Sequence, residues 1–351
     1  MAKVRIGLDI GTTAVRAAEL VGGDAPVVVR AAQVPLAEGA VEAGEIRQPD
    51  IVSAALRELW DRGGFKSRQV YMGVGNQRVV VREVALPWLP EKELRASLGF
   101  QAQEFIPMPV EEAVLDFDPL EEFEQEGRRM LRLILVAAQR AMVNTVVGVA
   151  LGAKLEPVGV DLVPFAMARA VGMPEVGMEE EEGGEEAVVD IGATITNILV
   201  HERGVTRFVR ILPSGGRDIT LAIARSFGVE DDVAERLKRG EIIEGGPDPD
   251  EVRRVAMQRA QNFVDEVRSS LEFYTAQTRG ARIGRVLVIG GGSKLSGFLE
   301  LLRERVPAIV ERGRVFRRAK SQLNLSEEAL AEAEPVLAVA VGLGIPGRHF
   351  A

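Results

Sequence analysis

Residues 7–20 read GLDIGTTAVRAAEL, and residues 188–200 read VVDIGATITNILV. Each is a short β-type run ending in Asp-Ile-Gly, then a small residue and threonine, then alternating apolar residues that predict a returning strand. The two aspartates, Asp9 and Asp190, stand about half the chain apart. That spacing predicts an internal duplication rather than a short-period solenoid. A third run, VLVIGGGSKLSGF at residues 286–298, ends a strand on Gly290, Gly291 and Gly292 and predicts a helix from near Ser293.

The residue types suit polyphosphate and a hard cation. Glycine in a hairpin turn lets backbone N–H groups approach phosphate oxygens closely. Thr12 and Thr13 add hydroxyl donors beside Gly11, and Asp9 at a strand end can hold hydrated magnesium. The second copy offers Asp190, Gly192, Ala193, Thr194 and Thr196 for the other side of one polyphosphate. A single Asp-Ile-Gly is as well explained by an ordinary hairpin; two copies are not. The glycine run lets main chain pass flat against a ligand and presents free N–H groups, although a tight turn alone would use it too. The glycine run does not fit GxGxxG, and no stretch matches GxxxxGK[ST], so the dinucleotide and P-loop readings fall away.

Composition narrows the class further. The chain has 351 residues, enough for two medium-sized domains. It has no cysteine and two histidines, which leaves no disulfide, thiolate metal site or histidine cluster. Its net charge of −9 argues against nonspecific nucleic-acid binding. With no long apolar run and no leader pattern, the expectation is a cytoplasmic protein.

Between the copies, Gln48–Arg62 predicts an amphipathic helix and Val70–Leu86 predicts strands. A helix opened by Pro90 and Glu91 is stopped at Pro107, and a strand pair follows around an acidic turn at Glu121–Gly127. Met142–Leu151 predicts a helix, and the charged, glycine-broken run Met178–Glu186 predicts a loop between lobes. Beyond it, two helices, a long one over Pro249–Arg279, and a last one over Ser326–Val341 are expected, giving an α/β chain.

In the order DIGT, DIGA, GGGS, these motifs resemble the two phosphate loops and the adenosine loop of the actin, Hsp70 and sugar-kinase superfamily. LPSGGRDITLAIARSFG at 212–228, with Gly215 and Gly216, is similar to the segment that FtsA and PilM proteins carry there. Glu235 and Lys238 resemble the Glu-x-x-Lys that contacts the nucleoside; alone, they would pass as a helix-surface ion pair. ASLGFQAQEFIPMPVEEAVLDFDPL at 96–120, LRLILVAAQRAMVNTVVGVALGAKLEPVGVDLVPFAMAR at 131–169 and RSSLEFYTAQ at 268–277 resemble the PilM family of type IV pilus assembly. The likeness runs from about Val4 to Gly344.

The resemblance implies an actin-like ATPase fold: two ribonuclease-H-like lobes around a nucleotide cleft, with an FtsA/PilM-type small subdomain. It places lobe I at residues 1–185 (core 1–79 and 152–185, C-terminal return 335–351, small subdomain 80–151). It places lobe II at 186–334 (core 186–216 and 283–334, cap 217–282). It implies ATP and Mg2+, with Asp9 and Asp190 as magnesium or water-orienting residues. The hydrolysing residue stays unassigned: where related sequences carry an acidic residue this chain has Gln139, Arg140 and Ala141.

The resemblance also implies a peptide partner, the cytoplasmic N-terminal segment of a PilN-type membrane protein. It would lie by Phe105, Ile106, Pro107, Met108 and Pro109, with Phe100 and Phe117 as apolar contacts. Other pilus-platform proteins and a second copy of the chain are further expected partners, with membrane contact only through PilN. FtsA-like filament formation, a related secretion system and a sugar kinase are the rivals. The given sequence stops at GIPGRHFA with no amphipathic membrane helix of the FtsA kind, which favours the PilM reading.

Overall fold

The computed structural model describes residues 4–22, 26–172, 184–278 and 280–347. It opens with a meander, β1 (Val4–Ile10), β2 (Ala14–Val21) and β3 (Val27–Pro35), then a small hairpin of β4 (Val41–Glu42) and β5 (Glu45–Ile46). Helix α1 (Pro49–Gly63) buries Ala55, Leu59 and Trp60 of the face expected from Ile51, Ala55, Leu59 and Trp60, with Val52 and Leu56 in place of the exposed Ile51, and stops at Gly64 in a left-handed conformation. Strands β6 (Gln69–Val74) and β7 (Val79–Pro87), α2 (Glu91–Ala102), β8 (Ala113–Gln125), β9 (Arg128–Gln139), α3 (Arg140–Gly152), β10 (Glu156–Leu162) and α4 (Val163–Val171) complete the first half.

The second half repeats the plan. β11 (Glu185–Ile191), β12 (Thr196–Glu202) and β13 (Val205–Leu212) form a meander. α5 (Gly216–Phe227), α6 (Asp231–Lys238), α7 (Pro249–Gln277), β14 (Ile283–Ile289), α8 (Phe298–Arg305), β15 (Ile309–Arg312), α9 (Val315–Arg318), β16 (Lys320–Ser321) and α10 (Glu327–Gly344) follow. The first sheet runs β10-β6-β1-β2-β3-β16 and the second runs β13-β12-β11-β14-β15. Apart from β16, they share one order: an antiparallel meander whose first strand takes two parallel strands on its other side. The expected duplication is thus visible as topology.

One apolar cluster joins the halves beneath the cleft. It gathers Ala18 and Leu20 from the first sheet, Val188, Leu199 and Ile289 from the second, Met167 from α4, and Leu337 and Val341 from α10. Backbones approach closely there. A Cβ on Gly342 would stand 1.8 Å from the Ala166 carbonyl oxygen, and one on Gly7 would stand 2.0 Å from that of Ala340. The apolar run at the chain's end is therefore buried helix, and among the described residues no helix is long and apolar enough to cross a membrane.

The third sheet, β7-β9-β8, carries α2 on one face, over Leu94, Leu98, Leu133, Leu135 and Phe117. Four local expectations differ from what is seen. Glu121–Gln125 are strand, and the turn is only Glu126–Gly127, where Glu126 and Gly127 both take positive φ. α3, expected within the small subdomain, packs Met142, Val146 and Val149 into the first-sheet core with α1, because its apolar side faces that way. β16, expected in lobe II, pairs with β3. Of the run expected as an inter-lobe loop, Met178–Gly183 lie outside the described residues, while Glu185 and Glu186 belong to β11.

Candidate functional site: a cleft between two aspartate hairpins

The β1–β2 turn closes with Gly11 N–H donating to the Ala14 carbonyl (3.1 Å), and the β11–β12 turn with Gly192 N–H donating to Ile195 (2.9 Å). The two turns face each other. Thr12 Oγ1 and Thr194 Oγ1 are 2.7 Å apart, although 182 positions separate them in sequence. Between the sheets lies a cleft of about 1720 Å³ lined by Asp9, Gly11, Thr12, Thr13, Asp190, Gly192, Ala193, Thr194, Gly216, Glu235, Lys238, Gly290, Gly291 and Gly292.

The aspartates dominate its electrostatics. Burial pushes the Asp190 carboxyl up to about 7, the Asp9 charge adds to this, and Asn197 and Arg16 oppose it. Burial also raises Asp9, partly countered by Arg16. Arg16 Nη1 reaches Asp9 Oδ2 only at 3.5 Å, and Asn197 Nδ2 reaches Asp190 Oδ2 at 3.4 Å, so neither carboxylate is well satisfied by protein donors. Asn197 Oδ1 is buried with no hydrogen-bond partner. Two under-satisfied carboxylates and a spare amide oxygen suit a hard, hydrated cation. Among the described residues no group of three or more His, Cys, Asp or Glu could hold a metal ion.

Arg16 and Asn197 were not singled out from the sequence. Each stands seven residues after its aspartate and directly across the hairpin from it, Arg16 opposite Asp9 and Asn197 opposite Asp190. That shared offset was the available signal.

The glycine run works by close approach. Gly290 has φ +85, and a Cβ there would stand 2.4 Å from the Ile191 carbonyl oxygen and 2.5 Å from Asp190 Oδ1. Its N–H donates to the Pro335 carbonyl (2.9 Å), which ties the crossing to α10. The α-helix expected from Ser293 is instead a short 3-10 turn over Gly291–Lys294, and α8 begins at Phe298. Ser293 is fully buried, its hydroxyl donating to the Gly290 carbonyl (2.7 Å), so it supports the loop without lining the cleft. Gly215 also lies off the lining; a Cβ there would meet the Gly192 carbonyl oxygen at 2.5 Å. Thr196 is buried and donates to the Ser214 carbonyl.

Glu235 and Lys238 form more than a surface pair. Lys238 Nζ lies 2.5 Å from Glu235 Oε2 and also donates to the Gly216 carbonyl (3.1 Å) and Thr220 Oγ1 (2.8 Å). Burial pushes Glu235 up, but Lys238, Thr220 and Arg239 more than offset it and hold the carboxyl below its usual range. Burial lowers Lys238, opposed by Glu235. Gln139 is not brought to the cleft. It ends β9, where its side chain accepts from Arg78, whose guanidinium also holds Glu45.

The proline turn borders a second, shallower cavity of about 670 Å³, lined by Phe100, Ile106, Pro107, Met108, Pro109 and Val110 among others. Phe100 is 85% exposed. Phe105 and Phe117 pack into the core under α2 instead, so of the expected contacts these two are structural.

Duplicated sheets, apposed aspartate hairpins and a glycine crossing between them define an actin-like ATPase fold, a nucleotide-binding class. MreB5 of Spiroplasma citri bound to ADP shares it, with 14% identity, a TM-score of 0.54, and coverage of 97% of this chain and 94% of that one. The chain belongs to the type IV pilus assembly protein PilM family, whose model matches residues 7–348. A solved PilM–PilN type IV pilus biogenesis complex is 30% identical, with a TM-score of 0.84 over 97% of each chain. The cell division protein FtsA of Bacillus subtilis is 24% identical over 342 residues, 85% of this chain and 76% of that protein. The role of this chain is accordingly that of an actin-like component of type IV pilus assembly.

Proposed function

We propose that the chain is the cytoplasmic, ATP-binding member of a pilus inner-membrane platform, and that it holds the N-terminal peptide of a PilN-type partner. The observation that carries the first half is the pair of poorly satisfied aspartates facing each other where the two hairpin tips meet. Asp9 and Asp190 would hold magnesium through water, and Asn197 would orient one such water. Bound magnesium would neutralise charge on the phosphates. Backbone N–H groups of the two turns and Arg16 would receive phosphate oxygens, while Gly291 and Gly292 pass flat beside the nucleoside and Lys238 with Glu235 borders it. No residue here is assigned to hydrolysis, so the reading is of a nucleotide-responsive binding protein.

The peptide half rests on the cavity beside Ile106–Pro109 and on the exposed Phe100. Two prolines fix chain direction and withhold N–H donors, so the turn frames a groove without closing it. Membrane contact would then come through the partner. The test is a pair of titrations on the full chain. Calorimetry with ATP and magnesium should show binding that Asp9→Ala and Asp190→Ala each weaken at least tenfold; unchanged affinity in both variants removes the nucleotide reading. Anisotropy of a labelled PilN N-terminal peptide should weaken in Glu104→Arg, an exposed position on the turn, with ATP binding intact. Crosslinks from the peptide that map only to residues 217–282 would remove the groove assignment.

A further inference from the structure

Among the described residues, two polar side-chain contacts link the halves across the cleft. At its floor the Thr12 and Thr194 hydroxyls touch. Nearer the mouth, Glu38, between β3 and β4, forms an ion pair with Arg217 in the first turn of α5. Arg217 is fastened to the second aspartate hairpin directly, and Glu38 to the first through Leu36, two residues before it. Leu36 N–H donates to the Thr13 carbonyl at 2.9 Å, and Arg217 N–H donates to the Ala193 carbonyl at 2.8 Å. Arg217 also reaches Asp231 Oδ2 of α6 at 3.1 Å, which aims its guanidinium across the gap. The pair therefore reports the separation of the two hairpins and resists its increase.

We propose that Glu38–Arg217 is a latch that gates passage of nucleotide into and out of the cleft, an inference resting on the nucleotide reading above. A polyphosphate cannot lie between hydroxyls 2.7 Å apart, so the tips must part for it to be seated. Passage through the mouth needs a wider opening still, and there the pair breaks. Once the nucleotide is seated, the long Arg217 side chain re-forms the contact over a slightly wider gap. The latch thus stabilises the closed forms, empty and loaded, against the open one. It sets rates and leaves affinity alone.

The pair is solvent-exposed, with side-chain exposures of 35% for Arg217 and 64% for Glu38. Exposed pairs are modest, so the expected acceleration on breaking it is about two- to fivefold. Salt screens such a pair, so the ratio of variant to parent rates should shrink toward one as ionic strength rises.

Stopped-flow mixing of the full chain with a fluorescent ATP analogue and magnesium tests this. Glu38→Gln should raise association and dissociation rates by the same factor and leave Kd unchanged. Glu38→Gln combined with Arg217→Gln should be no faster than Glu38→Gln alone, because one contact is lost in both. Unchanged rates in Glu38→Gln, or additive effects in the double variant, overturn the latch while leaving nucleotide binding intact. A change in Kd carried by one rate alone overturns it too, since Glu38 would then touch the nucleotide itself. A parent chain that gives no binding signal overturns the nucleotide reading and the latch with it.

Discussion

Replacing Asp190 with asparagine should stabilise the empty protein while removing its ligand response. Burial and the neighbouring Asp9 hold the folded-state pKa at about 7 against an ordinary 3.8. A folded pKa above the unfolded one means that the stability is fully present below about pH 4 and lost as pH rises to about 7. A shift of about three units corresponds to about 4 kcal/mol at most. The cleft is open to water, so about half of that, roughly 2 kcal/mol, is the expected cost of ionising Asp190. Asparagine keeps the shape, removes the charge and can still contact Asn197. Unfolding entropy near 2.1 cal/mol/K per residue gives about 0.7 kcal/mol/K for this chain, so Asp190→Asn should raise Tm by about 2–3 °C at pH 8. The gain should vanish near pH 4. Calorimetric scans with and without ATP and magnesium measure both effects, and the ligand-induced rise in Tm should disappear in the variant. A Tm gain that is absent at pH 8, or equally large at pH 4, refutes the electrostatic argument.

Gly342→Ala should cost at least about 1–3 kcal/mol, because the new methyl falls 1.8 Å from the Ala166 carbonyl oxygen between two packed helices; urea unfolding reads it, and a loss under about 0.5 kcal/mol would contradict the packing. Tyr274→Phe removes a buried hydroxyl that donates to Glu185 Oε1 at 2.6 Å and should cost about 1–2 kcal/mol at pH 8. Burial and Glu185 hold the Tyr274 pKa well above its ordinary 10, so its contribution is present below pH 10 and lost above it. The gap between parent and variant, followed by urea melts from pH 8 to pH 11, should therefore narrow at the alkaline end.

The hairpins were legible because their chemistry is local. Asp-Ile-Gly and the glycine run each specify a turn within a few residues, and repetition linked the copies without any contact being known. The pairing of Arg16 with Asp9 was nearly as local, since strand alternation fixes it once the turn is placed. Glu38 with Arg217 was not legible, since the pair depends on how two sheets sit together and Glu38 lies in no motif. Ser293 misled because three glycines before a serine resemble the start of a helix, yet here the serine hydroxyl turns back on the Gly290 carbonyl. Gln139 was placed by its neighbours in sequence, while its side chain is held by Arg78 at the end of β9. The acidic stretch Glu121–Gln125 looked like a turn, but as an edge strand its charges face water and Arg129 and Arg132, and charge on an edge does not prevent pairing on the inner side.

The run LRLILVAA explains how the cleft and the proline turn come to share one support. A strand with one buried face alternates apolar and polar residues; this one is apolar on both faces over most of its length, as a strand between two cores must be. Ile134, Val136 and Ala138 point into the first-sheet core, while Leu131, Leu133, Leu135 and Ala137 point into the small core beneath α2. α2 runs on into the turn at Ile106–Pro109, so β9 carries that turn on one face. Its other face meets the packing of α3, whose Met142 and Val146 also reach the cleft lining. β9 passes directly into α3 with no loop between them. A displacement of α3 that follows the cleft therefore cannot be absorbed by a flexible connection and must be taken up either in β9 or in the packing on its two faces. Coupling of nucleotide state to a peptide beside the turn would require the two cleft states to differ in that packing, since a ligand shifts an equilibrium only by its differential interaction with the two states. Interiors packed at crystal density resist such differences until a whole strand moves, so this arrangement favours a concerted shift of the small sheet over local loosening of the turn.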